Sequence, residues 1–120
     1  MLDEFMKVII RKPTPEELKV IKFLVEKANY KKNDWEKELN VIEMPDGMGS
    51  LLLIPEGLKM TNRMFKKQIS DILFKDIDGV DVIVSLNIDQ EDFLYELDVW
   101  KMNYEKVKSY GGLYTKFGII

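Results

Sequence analysis

From Val80 to Ile88 the chain alternates, with Val80, Val82, Val84, Leu86 and Ile88 on one parity and Asp81, Ile83, Ser85 and Asn87 on the other. Successive side chains of an extended strand point to opposite faces, whereas a helix repeats every ~3.6 residues, so this run predicts a strand with one buried face. Phe93, Tyr95, Leu97 and Val99 alternate in the same way with Leu94, Glu96, Asp98 and Trp100, and the turn at Asp89–Asp92 separates the two runs. Strands that follow each other through so short a connection pair antiparallel, because a parallel return needs a long crossover.

Upstream, the period is helical. Thr14-Pro15-Glu16-Glu17 carries a cap, a proline suited to the first helical position and a glutamate three residues after the cap. Leu18, Ile21, Leu24, Val25 and Ala28 then fall on one side and Glu16, Lys19, Lys22, Glu26 and Lys27 on the other, predicting a helix from about Pro15 to Ala28. Asp34-Trp35-Glu36-Lys37-Glu38-Leu39 reads as a second, short helical turn capped by Asp34. Before Pro13, Met6 to Ile10 is β-branched enough for a short strand or an extended arm.

Val41-Ile42 and Leu51-Leu52-Leu53-Ile54 flank Pro45-Asp46-Gly47-Met48-Gly49, a loop whose glycines suit a hairpin. Ile69, Ile72, Leu73 and Phe74 resume β-like composition, and Ile77-Asp78-Gly79 turns the chain into the alternating run. The expected architecture is therefore α+β: one domain over residues 1–120, with the N-terminal helix and the short helical turn packed on an antiparallel meander of about five strands. The face containing Val82, Val84, Leu86, Leu97 and Val99 is the surface on which the helix is expected to lie.

What the chain lacks narrows its chemistry. Its 120 residues contain no Cys and no His, which removes thiol nucleophiles, thiolate and imidazole metal ligands and triads built on a histidine base. Carboxylates, Lys, Tyr and Ser remain, and none of their spacings specifies a reaction. The longest apolar run, Leu51 to Ile54, is far short of a bilayer span, and Met1-Leu2-Asp3-Glu4 has acids where a secretory signal carries bases, so a cytoplasmic protein is expected.

The net charge is −3, yet it is unevenly spread. Asp71 to Asp98 holds nine acids against the single base Lys75, a net −8, which leaves +5 for the rest of the chain. Just before it, Gly57 to Ser70 carries Lys59, Arg63, Lys66 and Lys67 and no acid. If that segment were helical, its four bases would share a face; the adjoining acids repel phosphate, so its expected partner is the protein's own acidic face or that of a second copy, and nucleic acid is not expected.

Four constellations are candidate sites. Asp76, Asp78 and Asp81 around Gly79 place carboxylates as a calcium loop does, without the spacing or terminal glutamate of an EF-hand, and a plain Asp-Gly turn is the simpler reading. Asn87, Asp89, Glu91 and Asp92 bunch oxygens in a turn with the same two readings. Glu96 and Asp98 share a strand face beside Trp100, as paired carboxylates do in glycosidases or as the solvent face of a sheet does. The Asp46-Gly47-Met48-Gly49-Ser50 loop has glycines suited to holding an anion, without the Lys-Ser/Thr ending of a phosphate-binding loop.

The segments Arg11-Lys12-Pro13-Thr14-Pro15-Glu16-Glu17, Asp46-Gly47-Met48-Gly49-Ser50-Leu51, Asp78-Gly79-Val80-Asp81-Val82-Ile83-Val84-Ser85-Leu86-Asn87 and Leu97-Asp98-Val99-Trp100-Lys101 together resemble a family of small uncharacterised bacterial proteins, a domain of unknown function. The resemblance spans roughly Arg11 to Val107. In that family the acidic turn often has a glycine where this chain has Asp92 or Phe93. The resemblance implies a compact domain and no catalytic residue.

The function expected from these features is a non-enzymatic protein-interaction domain with an acidic sheet face. Its candidate interface is Tyr95, Glu96, Asp98, Trp100 and Tyr104, residue types that supply interface anchors and a charged rim. A basic protein partner fits, an immunity protein neutralising a toxin with a positive nucleic-acid cleft being one such role. The competing expectation is a small carboxylate-dependent hydrolase or a divalent-metal-binding domain. No cofactor, membrane or nucleic-acid partner is expected. A homodimer is, with the basic segment of each copy facing the acidic segment of the other and the apolar tail Leu113 to Ile120 covered.

Overall fold

A computed structural model describes residues 9–32, 34–55 and 62–111. The first element in chain order is a two-residue strand, β1 (Ile10–Arg11), followed by the helix α1 (Pro15–Lys27). Thr14 holds the helix start as its sequence predicts: its hydroxyl accepts from the Glu17 N–H at 3.1 Å, and the Glu17 carboxylate accepts from the Thr14 N–H at 2.9 Å. Arg11 grips the same carboxylate through both ends of its guanidinium, at 2.8 and 3.0 Å. Burial pushes the Glu17 carboxyl up, but Arg11 and the Thr14 donors outweigh it and hold it below its ordinary value. At the other end Asn29 adopts φ 55, and the N–H groups of Asn29 and Tyr30 donate to the carbonyls of Glu26 and Val25, a Schellman closure with asparagine in the glycine position.

Five further strands follow: β2 (Asn40–Glu43), β3 (Leu51–Ile54), β4 (Phe65–Lys75), β5 (Asp81–Asp89) and β6 (Leu94–Lys101). They form with β1 a six-stranded sheet of order β1-β2-β3-β6-β5-β4, antiparallel throughout. The α+β antiparallel reading is thus correct, while the simple meander is not. Two three-stranded meanders are joined by β3 against β6, and the chain after Ile54 crosses to the far edge before β4 begins. Strand chemistry accounts for this order. The strongly alternating β5 and β6 take central places where both edges are satisfied, and β4, opened by Lys66 and Lys67 and broken by two register shifts, has the charged and irregular character of an edge.

The short helical turn expected at Asp34–Leu39 is a second correction, for these residues form irregular turns without an α-helix. Asp34 has φ 58, whereas a helix cap needs an extended backbone, and Glu38 has φ 54. Six residues are too few for a helix to be stable by itself, and here the segment is held instead by Trp35, packed at the core margin, and by buried Leu39.

Val20, Ile21 and Leu24 are fully buried and Val25 nearly so; this face of α1 lies on β4 and β5 and shares one core with Ile72, Phe74, Val82, Val84, Leu86, Leu97 and Val99. Burying each such side chain is worth ~1.5–3 kcal/mol. The Ser70 hydroxyl donates to the Leu24 carbonyl at 2.7 Å and the Lys27 ammonium donates to the Asp71 carbonyl, tying the helix to the edge strand. The helix covers one face of the sheet. The segments Met6–Val8 and Leu113–Ile120, like Lys59, lie outside the described residues.

Candidate functional site

Strand alternation places Lys101 on the inward parity of β6, beyond Leu97 and Val99, and its side chain is fully buried. Its ammonium donates to Asp76 at 2.9 Å and to Asp78 at 2.6 Å. The Asp76-Ile77-Asp78-Gly79-Val80 turn, weighed above as a cation loop, therefore does hold a cation, and that cation belongs to the protein. Asp76 accepts in addition from the N–H groups of Ile77, Lys108 and Ser109, so one carboxylate fastens the turn, the last strand and the segment that follows it. Burial pushes the Asp76 carboxyl up, yet these donors together hold it below its usual value; burial likewise pushes the Lys101 ammonium down, and the two carboxylates raise it. Beyond this point Val107 donates to the Met48 carbonyl, and Tyr110 packs against Phe74 with ring centroids 5.8 Å apart.

The second acidic turn repeats the arrangement. Asp89 opens it as Asp76 opens the first, with the same pair of backbone hydrogen bonds, and the left-handed position filled by Gly79 (φ 82) is filled by Asp92 (φ 68). One Asp89 oxygen accepts from the Glu91 and Phe93 N–H groups; the other accepts from Arg63 Nε at 2.9 Å. Arg63 spends its remaining donors on the carbonyls of Leu53 and Leu94, at 2.7 and 2.6 Å. Lys66 reaches Asp92 at 2.6 Å. Arg63 and Lys66 of the basic segment thus serve the protein's own acidic turn, and Lys66 and Lys67 stand on a strand rather than on the helical face considered above. Among the described residues, no group of three or more acids is arranged to hold a metal ion.

The face of the sheet turned away from α1 follows from the register. Trp100 of β6, Ile83 of β5 and Leu73 of β4 stand in one row, and Asp98, Ser85 and Asp71 in the next. Glu96 lies opposite Asn87, whose amide donates to it at 3.0 Å; the Asn87 Oδ1 is buried and has no partner among the described residues. Asp81 pairs with Lys75 at 2.8 Å. Asp71, Asp81, Glu96 and Asp98 against Lys75 make this part of the face acidic.

Four of the five interface candidates come together on that side. Glu96, Asp98 and Trp100 alternate out of the same face, and Tyr104 meets the Trp100 ring edge-on, centroids 5.1 Å apart at 83°. Trp100 is 43% exposed and Tyr104 67%. Tyr95 is placed differently: it falls where β6 slips register against β5, and its ring lies 5.0 Å beneath the Arg63 guanidinium, near the opposite end of the strand. As for the Asp46–Ser50 loop, Asp46 accepts from Met48 N and Ser50 O from Met44 N, and Met48 is buried, which is the arrangement of a hairpin.

Residues 10–111 match the family pattern described as a domain of unknown function, DUF6984. The chain belongs to that family. No curated protein and no solved structure matches it. The structure adds to the DUF6984 pattern two lysine- and arginine-filled acidic turns on a six-stranded sheet. Among the described residues no helix is long and apolar enough to cross a membrane.

Sequence reasoning missed Lys101 and Arg63 as organising residues. For Lys101 a signal existed: it continues the buried parity of Leu97 and Val99, and a base on a buried face requires acidic partners. For Arg63 the charge pattern pointed to the protein's own acidic segment, as the Asp89 pair bears out, but not to the carbonyls of Leu53 and Leu94, which lie on two other strands.

Proposed function

We propose that this domain binds a basic protein partner through the helix-free face of its sheet, with Trp100 and Tyr104 as anchors and Glu96 and Asp98 as the charged rim. The observation that carries the reading is the Trp100–Tyr104 pair: two large aromatic rings, packed edge-on and substantially exposed, beside Glu96 and Asp98, which form no ion pair among the described residues. Aromatic anchors with a charged surround are the composition of interface hot spots, and the acidic rim steers a basic surface toward them. An immunity-type role in the cytoplasm, covering the positive cleft of a toxin, fits this chemistry. The hydrolase reading has less behind it, since the Glu96 carboxylate already accepts from the Asn87 amide at 3.0 Å and Asp98 is exposed.

Cross-linking of the full chain in lysate of its source tests the proposal with Trp100→Ala and the Glu96→Lys/Asp98→Lys double variant as controls. A partner of high isoelectric point held by the native chain and lost from both variants, at unchanged melting temperatures, is the supporting result. Retention of the same partner by both variants rejects it. A rise in melting temperature with calcium, magnesium or manganese would instead favour the metal-binding reading.

A further inference from the structure

The edge of the sheet carries a self-complementary pattern. β4 ends the strand order, and among the described residues no strand pairs with its outer side. The Asp76 N–H donates to the Val80 carbonyl at the close of the β4–β5 hairpin, so by register Phe74 and Ile72 turn their backbone groups to β5 and Asp71 turns its carbonyl outward, where the Lys27 ammonium donates to it. Hydrogen-bonding direction alternates along an antiparallel strand, so Leu73 and Lys75 also turn their N–H and C=O groups outward. Beside this stretch runs a cleft of about 400 Å³ lined by Phe23, Lys27, Asp71, Ile72, Leu73 and Ile83. Leu73 is 52% exposed.

We propose that a second copy of this chain docks here, its β4 pairing antiparallel with β4 about a two-fold axis at Leu73. Antiparallel pairing centred on one residue sets each position opposite its mirror position. Leu73 then faces the Leu73 of the other copy, and Asp71 faces its Lys75, whose exposed ammonium then spans that Asp71 and its own Asp81, twice for one symmetry operation. No other centre within this outward-facing stretch matches charge to charge: a centre at Ile72 sets Asp71 against Leu73, and one at Phe74 sets Leu73 against Lys75. On the helix-free face the apolar row Trp100, Ile83, Leu73 presently stops at the edge, and pairing continues it into Leu73 and Ile83 of the second copy. Lys27 is exposed, and its bond to the Asp71 carbonyl is exchanged for the N–H of the incoming strand. The two sheets merge into one with both helices on the same side. This association is made by Asp71, Leu73 and Lys75 at the edge and needs neither Glu96, Asp98 nor Tyr104, so it stands independently of the proposed function. It differs from the dimer expected from the basic segment, of which Arg63 is buried against Asp89 of its own chain.

Five residues of strand with one apolar row form a small interface, for which a dissociation constant of roughly 100 µM is expected. The chain has no cysteine, so disulfide capture reads the register directly. Under mild oxidation Leu73→Cys should link to itself, and a mixture of Asp71→Cys with Lys75→Cys should give the heterodimer. Asp71→Cys alone should not link, because its two copies lie ~13 Å apart along the strands, beyond disulfide reach. Sedimentation of the native chain between about 10 and 500 µM should show dimer appearing with concentration, and Leu73→Lys, which sets two ammonium groups face to face, should abolish it. Leu73 is half-exposed, so both changes spare the core. Three results would overturn the proposal: a native chain that stays monomeric across the range, a dimer indifferent to Leu73→Lys, or linking of Asp71→Cys as efficient as that of Leu73→Cys.

Discussion

The Lys101 ammonium and the Asp76 carboxylate meet at 2.9 Å with both side chains closed off from solvent. The pair joins the last strand to the β4–β5 turn, and through the Lys108 and Ser109 N–H groups Asp76 also anchors the segment leading to Tyr110. A buried ion pair of this kind need not outperform apolar residues of the same size, yet removing one partner leaves the other charge stranded. Lys101→Met and Asp76→Asn should each lower the melting temperature by more than about 10 °C, and the double variant should cost less than the sum of the two. Calorimetry on the three variants checks this. Full additivity would mean that the two side chains do not act as a unit.

Arg63 bridges three strands with one planar group. Lysine cannot reproduce that fork, so Arg63→Lys should recover little of the loss caused by Arg63→Ala, for which about 3 kcal/mol is expected because Asp89 and two buried carbonyls lose their donor. Urea denaturation gives both values. A lysine variant as stable as the native chain would show that charge alone suffices.

Stability should be flat between about pH 5 and 10 and should fall on both sides. On the acid side, Asp76, Asp78 and Glu17 are held below the ordinary values of 3.8, 3.8 and 4.5, so their contribution is complete above those values and lost as pH falls through the lower folded ones. On the alkaline side, burial and then the carboxylates of Asp89 and Asp92 push the Tyr30 hydroxyl up from 10.0 to about 12. The unfolded chain therefore releases that proton first, and stability declines from pH 10 through about 12. Tyr110, raised chiefly by burial, acts in the same direction. The Lys101 contribution is complete below 10.5 and lost as pH rises through its higher folded value. Denaturant midpoints across the range test this, and a Tyr30→Phe chain should lose less stability between pH 10 and 12 than the native one.

Asp92 occupies the left-handed position of its turn at φ 68, where Gly79 serves the matching turn at φ 82. Asp92→Gly should be tolerated, since it relieves the backbone while surrendering the exposed Lys66 contact and the weaker attraction of Lys32 and Lys67. Asp92→Val should lower the melting temperature by roughly 5 °C or more, because a β-branched residue fits that conformation poorly. If both variants melt alike, the backbone argument fails.

Local chemistry made much of the fold readable. The Thr14 capping box, the stripe from Leu18 to Ala28 and the alternation of β5 and β6 each depend on neighbours a few residues away, and the structure has them where the pattern placed them. Asp34 shows the limit of such reading: a capping residue type before a short polar segment is equally compatible with a turn, and the packing of Trp35 and Leu39 selected the turn. Glu96, Asp98 and Trp100 could be assigned to one strand face from spacing alone, whereas the slip at Tyr95 could not, since a bulge arises between two strands and is written in neither.

The sequence by itself determined the class of fold, the antiparallel pairing of β4, β5 and β6 and the face that α1 covers, because hydrophobic period and turn residues act over short distances along the chain. Tertiary structure alone decided that β3 lies beside β6, that Lys101 and Arg63 fill the acidic turns, and that Asp71 to Lys75 falls on the strand that ends the sheet order among the described residues. Each of these is a choice among partners remote in sequence, settled by which arrangement buries the apolar faces while giving every enclosed charge an opposite one.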